Sequence, residues 1–160
     1  MRYRRAKNEE IIMLQAIADY QFGWPAGDLL IPGNAILGIS PSTMRIREVY
    51  GDEGLLAVLR AHDYMFSLSI NGARRLLKLD EPRLRAWVAL TLTQRIKGID
   101  CSYIYKIDET LLPGEEVIVL DDNNKLLGVG RLKLSPLEIK ENSCKSEAIR
   151  IRHWAQRYKP

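Results

Sequence analysis

The sequence predicts an α+β protein, a small helix-plus-antiparallel-meander domain followed by a mixed β-barrel, and three observations carry that prediction. Apolar residues near the start recur at helical spacing, the period changes to two between Ala35 and Ile70, and the second half is a series of short β-rich runs parted by turn residues. The boundary is placed at Asp80-Glu81-Pro82, giving domains 1–80 and 81–160.

Ile11, Leu14, Ala18 and Phe22 define the opening helix, with Glu9-Glu10 where a helix N-terminus favours negative charge. It should end near Gly23, because a residue before proline, as in Trp24-Pro25, disfavours the α conformation. Its face is read as core. Leu55, Ala57 and Leu59 then alternate with Leu56, Val58 and Arg60, and Tyr64, Phe66, Leu68 and Ile70 with Met65, Ser67 and Ser69. Gly51-Asp52-Glu53-Gly54 and Ala61-His62-Asp63 are the turns between them. Asn71 is expected to cap a short helix carrying Ala73, Leu76 and Leu77, which Pro82 bars from running on.

The second half reads as a strand over 83–90, a helix over 91–97 closed by a left-handed Gly98, and strands over 103–107, 115–120 and 126–134. Pro113-Gly114 sets a turn, and Asp121 to Asn124 suit a hairpin loop with left-handed residues. Gly128 and Gly130 alternate on the return strand, so something can approach its backbone closely or the strand can bend. Ser135-Pro136-Leu137-Glu138 combines a cap, a first-turn proline and a glutamate three residues on, which starts a helix. The alternation over 148–153 should close the barrel.

With 160 residues, 46% apolar and 28% charged, the chain is a folded protein of one ordinary or two small domains. No apolar run approaches the ~18 to 20 residues of a membrane span, and the basic start Met1 to Lys7 leads into an amphipathic segment, so a cytoplasmic location is expected. The net charge of +4 suits a polyanionic partner but is weak on its own. Cys101 and Cys144 lack Cys-x-x-Cys spacing; two free thiols are expected, with a disulfide between them as the alternative.

The hairpin Leu112-Pro113-Gly114-Glu115-Glu116-Val117-Ile118-Val119-Leu120-Asp121 with Leu127-Gly128-Val129-Gly130-Arg131 is preceded by Lys97-Gly98. It is followed by Ser135-Pro136-Leu137-Glu138 and Ala148-Ile149-Arg150-Ile151-Arg152. From about Arg83 to about His153 this order resembles a PUA domain, an RNA-binding module of RNA-modifying enzymes. Ala18-Asp19-Tyr20-Gln21-Phe22-Gly23 with Gly27, Arg45 to Tyr50, Leu56 to Arg60 and Asn71 to Leu76 resemble the segment before that domain in archaeal archaeosine tRNA-guanine transglycosylases. The whole is similar to the C-terminal tRNA-binding part of those enzymes, standing alone without their catalytic barrel, which needs roughly 250 residues. Ser42 to Arg45, His62 to Tyr64 and Ile99 to Tyr105 depart from the family's usual runs.

RNA recognition needs cations for phosphates and planar groups for stacking. Arg150 and Arg152 should share one side of the last strand, with Ile149 and Ile151 inward, and Arg157 follows in the tail. The resemblance makes this strand and the loop after Lys97-Gly98 the borders of the RNA surface, with Ser102 offering a hydroxyl. Tyr103 and Tyr105 are candidates for base stacking, although burial of both is the favoured reading. Arg131 and Lys133 project from one strand face. Arg45, Arg47, Arg74 and Arg75 would form a second contact if both domains gripped one RNA.

Catalysis has little support: His62 and His153 lie in no nucleophile, metal or phosphate-loop motif, and no cofactor is expected. Asp19 and Tyr20 are assigned a hydrogen-bonding role at the helix end. The implied function is binding of the acceptor-stem region of tRNA in support of tRNA modification. The alternatives are a ribosome-biogenesis factor binding ribosomal RNA and a non-catalytic subunit of an archaeosine-synthesis enzyme with a separate catalytic partner.

Overall fold

The exposed basic segment at the start is a strand, β1 (Arg2–Arg5), followed by α1 (Asn8–Phe22) and a short α2 (Ala26–Leu30). Then come β2 (Ile36–Ile39), β3 (Ile46–Gly51), β4 (Gly54–Leu59), β5 (Phe66–Leu68) and α3 (Ile70–Leu76). The computed structural model describes residues 1–89, 96–141 and 143–155, and the chain divides into two units, Met1–Leu79 and Asp80–Pro160.

In the first unit the five strands form an antiparallel meander in the order β1-β2-β3-β4-β5. Leu37, Val49, Ala57 and Leu68 stand opposite one another across β2 to β5, and all four are buried. Directly opposed residues share a sheet face, so this row, with Leu14, Ala18, Leu30 and Leu76 of the helices, makes the core. Each fully buried leucine there is worth roughly 1.5–3 kcal/mol. A register shift at Val49/Tyr50 lets Leu56 and Ala57 both turn inward, which strict alternation does not foresee.

Polar side chains lock α1 to its neighbours. Gln15 Nε2 donates to the Ile31 carbonyl at 3.0 Å, Asp19 accepts from the Gly27 amide at 2.7 Å, and Gln21 exchanges two hydrogen bonds with the Phe66 backbone. Asp19 thus has its expected structural role, whereas Tyr20 faces solvent. The helix stops at Gly23, whose φ of 89° suits glycine. Ser69, not Asn71, caps α3, accepting from the Gly72 amide; Asn71 donates to the Glu53 carbonyl instead.

The second unit contains β6 (Arg85–Val88), β7 (Gly98–Asp100), a 3-10 turn (Cys101–Tyr103), β8 (Ile104–Ile107) and β9 (Glu116–Leu120). β10 (Leu126–Leu132), α4 (Pro136–Ile139) and β11 (Glu147–Trp154) complete it. The sheet order is β7-β11-β10-β9-β6-β8, antiparallel except for β6 with β9. The two edge strands β7 and β8 belong to one stretch, 98–107, so the sheet curls back on itself through a covalent link. Closure is therefore made there, not by β11, which sits inside the sheet. Ser135 and Glu138 form the expected capping box of α4.

Three further expectations change. The helix over 91–97 falls mainly on residues outside those described; Lys97 is not helical, and Gly98 is an extended strand residue without positive φ. Tyr103 and Tyr105 are exposed, because the 3-10 turn and the edge position of β8 turn them outward. Cys101 and Cys144 are joined in a disulfide, with Cα atoms 6.0 Å apart.

Candidate nucleic-acid interface

β7 lies beside β11, so Lys97-Gly98 and the arginine-bearing last strand are neighbours. Gly98 is opposite Arg150, Ile99 is opposite Ile149, and the Ile151 amide donates to the Lys97 carbonyl at 2.7 Å. On the other side of β11, Arg150 is opposite Arg131, and Arg131 is opposite Glu116 of β9. Glu116, Arg131, Arg150 and Gly98 thus form one row across four strands, on one sheet face. Lys133, two residues beyond Arg131, is exposed on the same side, its amide bound to the Ala148 carbonyl at 2.7 Å.

Two carboxylates shape this row. Glu147 lies against the α-carbon of Gly98, where a Cβ would meet Oε1 at 1.7 Å, and its Oε2 pairs with Arg150 at 3.0 Å. Glu116 is fully buried at its side chain and is bound by the Arg152 guanidinium through both oxygens. A register shift at Val129/Gly130 leaves Arg152 as the extra residue of β11 and lets it reach Glu116. Arg150 and Arg152 therefore differ: Arg150 is half exposed beside Glu147, and Arg152 serves a buried acid. Burial, and then the Arg152 charge, push the His153 imidazole below its ordinary pKa.

The glycines of β10 are filled by the fold itself. A Cβ on Gly130 would meet the Arg150 carbonyl at 2.1 Å, so β11 occupies the approach that those glycines permit.

At the open end of the β7–β11 pair, Ser102 and Tyr103 are exposed on the 3-10 turn, beside the Cys101–Cys144 disulfide. The Cys101 amide also donates to the Ser146 carbonyl at 3.0 Å. At the other end Trp154 Nε1 donates to the Ile96 carbonyl. The structure thus gathers Lys97, Gly98, Arg131, Lys133 and Arg150 around β7, β10 and β11, with Ser102 and Tyr103 at one margin. Arg157 lies outside the described residues. Glu116 and Glu147 escape sequence reasoning; the only signal was an acid beside an apolar run in Glu116-Val117 and Glu147-Ala148.

In the first unit Arg45 lies over the Tyr64 ring at 5.6 Å, Arg47 donates to the Leu59 carbonyl, and Arg75 pairs with Glu53 at 2.8 Å. These cations are largely engaged in local structure. Among the described residues, no cluster of His, Cys, Asp and Glu could hold a metal, and no helix is long and apolar enough to cross a membrane.

Residues 13–83 match the patch-forming domain C2 of tRNA-guanine transglycosylase, and residues 93–154 match the PUA domain. The tRNA-guanine(15) transglycosylase of Methanobrevibacter smithii is 32% identical over 141 residues, covering 86% of this chain and 21% of that enzyme. That of Thermococcus kodakarensis is 33% identical over 138 residues, covering 84% and 23%. The chain spans about a fifth of the length of these relatives. Among solved structures, a hypothetical protein from Pyrococcus horikoshii superimposes with a TM-score of 0.68 at 13% identity, covering 98% of this chain and 96% of that one. A conserved PUA domain protein from Thermoplasma acidophilum gives 0.64 at 14% identity, covering 96% and 94%. At these identities the likeness is one of fold.

Proposed function

We propose that this PUA-domain protein, which resembles the C-terminal part of archaeal tRNA-guanine(15) transglycosylases, binds RNA along the β7–β11 edge and does so in support of tRNA modification. The observation that supports the reading is the pairing of Gly98 with Arg150, which sets Arg131, Lys133 and Arg150 along one face with Lys97 exposed at the end of the neighbouring edge strand. Four cations on a short patch suit phosphates of a helical end more than base edges, so the selectivity is for shape. Tyr103, beside that edge, supplies a ring on which a terminal unpaired base can stack, an interaction worth ~1–3 kcal/mol.

The ligand this favours is the acceptor-stem end of tRNA, where a duplex passes into a single strand. These two domains contribute binding, and the chemistry belongs to a catalytic partner. Competition binding tests this, with labelled tRNA displaced by unlabelled tRNA, an acceptor-stem minihelix or a ribosomal RNA fragment of equal length. The minihelix should compete nearly as well as whole tRNA. Preference for the ribosomal fragment would replace this reading with a role in ribosome assembly.

A further inference from the structure

The β2–β3 and β4–β5 loops lie at the same end of the meander and share one frame. In the first, the Ser40 amide donates to the Arg45 carbonyl and the Met44 amide to the Ser40 carbonyl. In the second, the Arg60 amide donates to the Met65 carbonyl and the Tyr64 amide to the Arg60 carbonyl. Each loop turns at a left-handed residue, Met44 with a φ of 58° and Tyr64 with a φ of 56°. Glycine adopts that conformation freely, whereas a bulky side chain is strained there. Burial does not account for either residue, since Met44 is 65% exposed and Tyr64 44%. Strain of this kind gathers at binding sites and ligand clamps.

The chemistry at these tips suits a nucleotide. The exposed Arg45 guanidinium lies over the Tyr64 ring at 5.6 Å and joins the two loops. Asp63 is the one acid in 40–45 and 60–65, and it is neutralised within its own loop. The Arg60 guanidinium donates to both its oxygens, at 3.1 and 2.9 Å, and the Met65 amide to one of them. What the tips show to a ligand is therefore a cation, an aromatic ring and a thioether. Arg60 Nη1 is also buried without an acceptor, a rare state that an oxygen arriving with a ligand would end. We infer that Met44, Arg45 and Tyr64 form a binding site for an unpaired nucleotide of RNA: the base stacks against the Tyr64 ring beside Met44, and Arg45 holds the phosphate. Both loops lie in runs that depart from the family's usual sequence, so the site is read from this chain's own residues. It rests on the proposed function only for RNA as the class of ligand, and it shares no residue with the β7–β11 edge.

The test titrates the full chain into a single-stranded RNA hexamer carrying 2-aminopurine, whose fluorescence falls when it stacks on an aromatic ring, and into the same RNA annealed as a blunt duplex. The wild type should quench the single strand and leave the duplex signal unchanged. Tyr64→Gly should weaken single-strand binding at least about fivefold, the low end of the range for one stacked base. Arg45→Ala should reduce the salt slope of that binding by about one phosphate contact. The glycine variants Met44→Gly and Tyr64→Gly separate binding from folding, because glycine relieves the left-handed strain: the melting temperature should hold or rise while affinity falls. A lower melting temperature with unchanged RNA affinity would make both side chains structural and overturn the assignment, as would a wild type that quenches neither RNA. Quenching that survives Tyr64→Gly and vanishes in Tyr103→Ala would move the base to the β7–β11 edge. A homodimer in sedimentation that Tyr64→Gly dissolves would give the tips to a second copy of the chain; both of these results also overturn it. Arg150→Ala should leave the quenching intact, so failure of this site and failure of the RNA edge are read from different variants.

Discussion

Gly98 and Arg150 stand opposite each other across the β7–β11 pair, and the carboxylate of Glu147 fills the space between them, against the Gly98 α-carbon and 3.0 Å from Arg150. The glycine is needed here for room, not for an unusual backbone angle. An acid thus shares the cation that the proposed RNA edge depends on.

Glu147→Gln should therefore tighten RNA binding. The change removes a negative charge from the edge and releases Arg150 from a partner that phosphate must displace. Exposed ion pairs are worth about 0–1 kcal/mol, so a gain of about two- to fivefold is expected. Filter binding at low salt measures it, and weaker binding would show that Glu147 instead holds Arg150 in its binding position.

Arg152 and Arg150 should separate by phenotype. Arg152→Ala takes a charged partner from the buried Glu116 and should cost about 3 kcal/mol in urea unfolding, as for a broken buried pair. Arg150→Ala should change stability by less than about 0.5 kcal/mol while weakening RNA binding. Equal destabilisation by both would make Arg150 structural too.

The Cys101–Cys144 bridge closes a sequence separation of 43 residues. Chain-entropy reasoning assigns it about 4 kcal/mol. Replacing both cysteines by serine should lower the melting temperature of the second unit by ten degrees or more, and a reductant should do the same to the wild type only. RNA binding measured well below that transition should fall less, since β7 keeps its ladder with β11.

Arg4, by its hydrogen bonds, holds the Glu10 carboxyl at about 2, below the ordinary 4.5. A carboxylate depressed in the folded state contributes stability above its unfolded pKa and loses it as pH falls through the folded one. The first unit should lose this contribution between about pH 4.5 and about pH 2. In Glu10→Gln that part of the acid limb should be shallower, as read by circular dichroism, and an unchanged limb would assign the loss to other groups.

Much of the fold was legible because local chemistry and burial agreed. The apolar set Ile11, Leu14, Ala18 and Phe22, the Ser135–Glu138 capping box and the 116–120 run all announce their elements, and all are found. What was hidden depends on partners distant in sequence. The basic β1 has no buried residue to mark it as a strand and exists because β2 pairs with it. Gly98 looks like a helix terminator until Glu147, far along the chain, is laid over it. Arg150 and Arg152 look equivalent by alternation, and only the bulge at Val129/Gly130 sends Arg152 to Glu116. Cys101 and Cys144 meet because β7 and β11 do, which their spacing does not reveal.

The most direct test of the central claim is the salt dependence of tRNA binding by the wild type and by Lys97→Ala, Arg131→Ala, Lys133→Ala and Arg150→Ala. The logarithm of affinity should fall linearly with the logarithm of salt concentration, and each substitution should reduce the slope by about one phosphate contact. A wild-type slope near zero, or four variants indistinguishable from the wild type, would contradict the claim that this edge holds RNA.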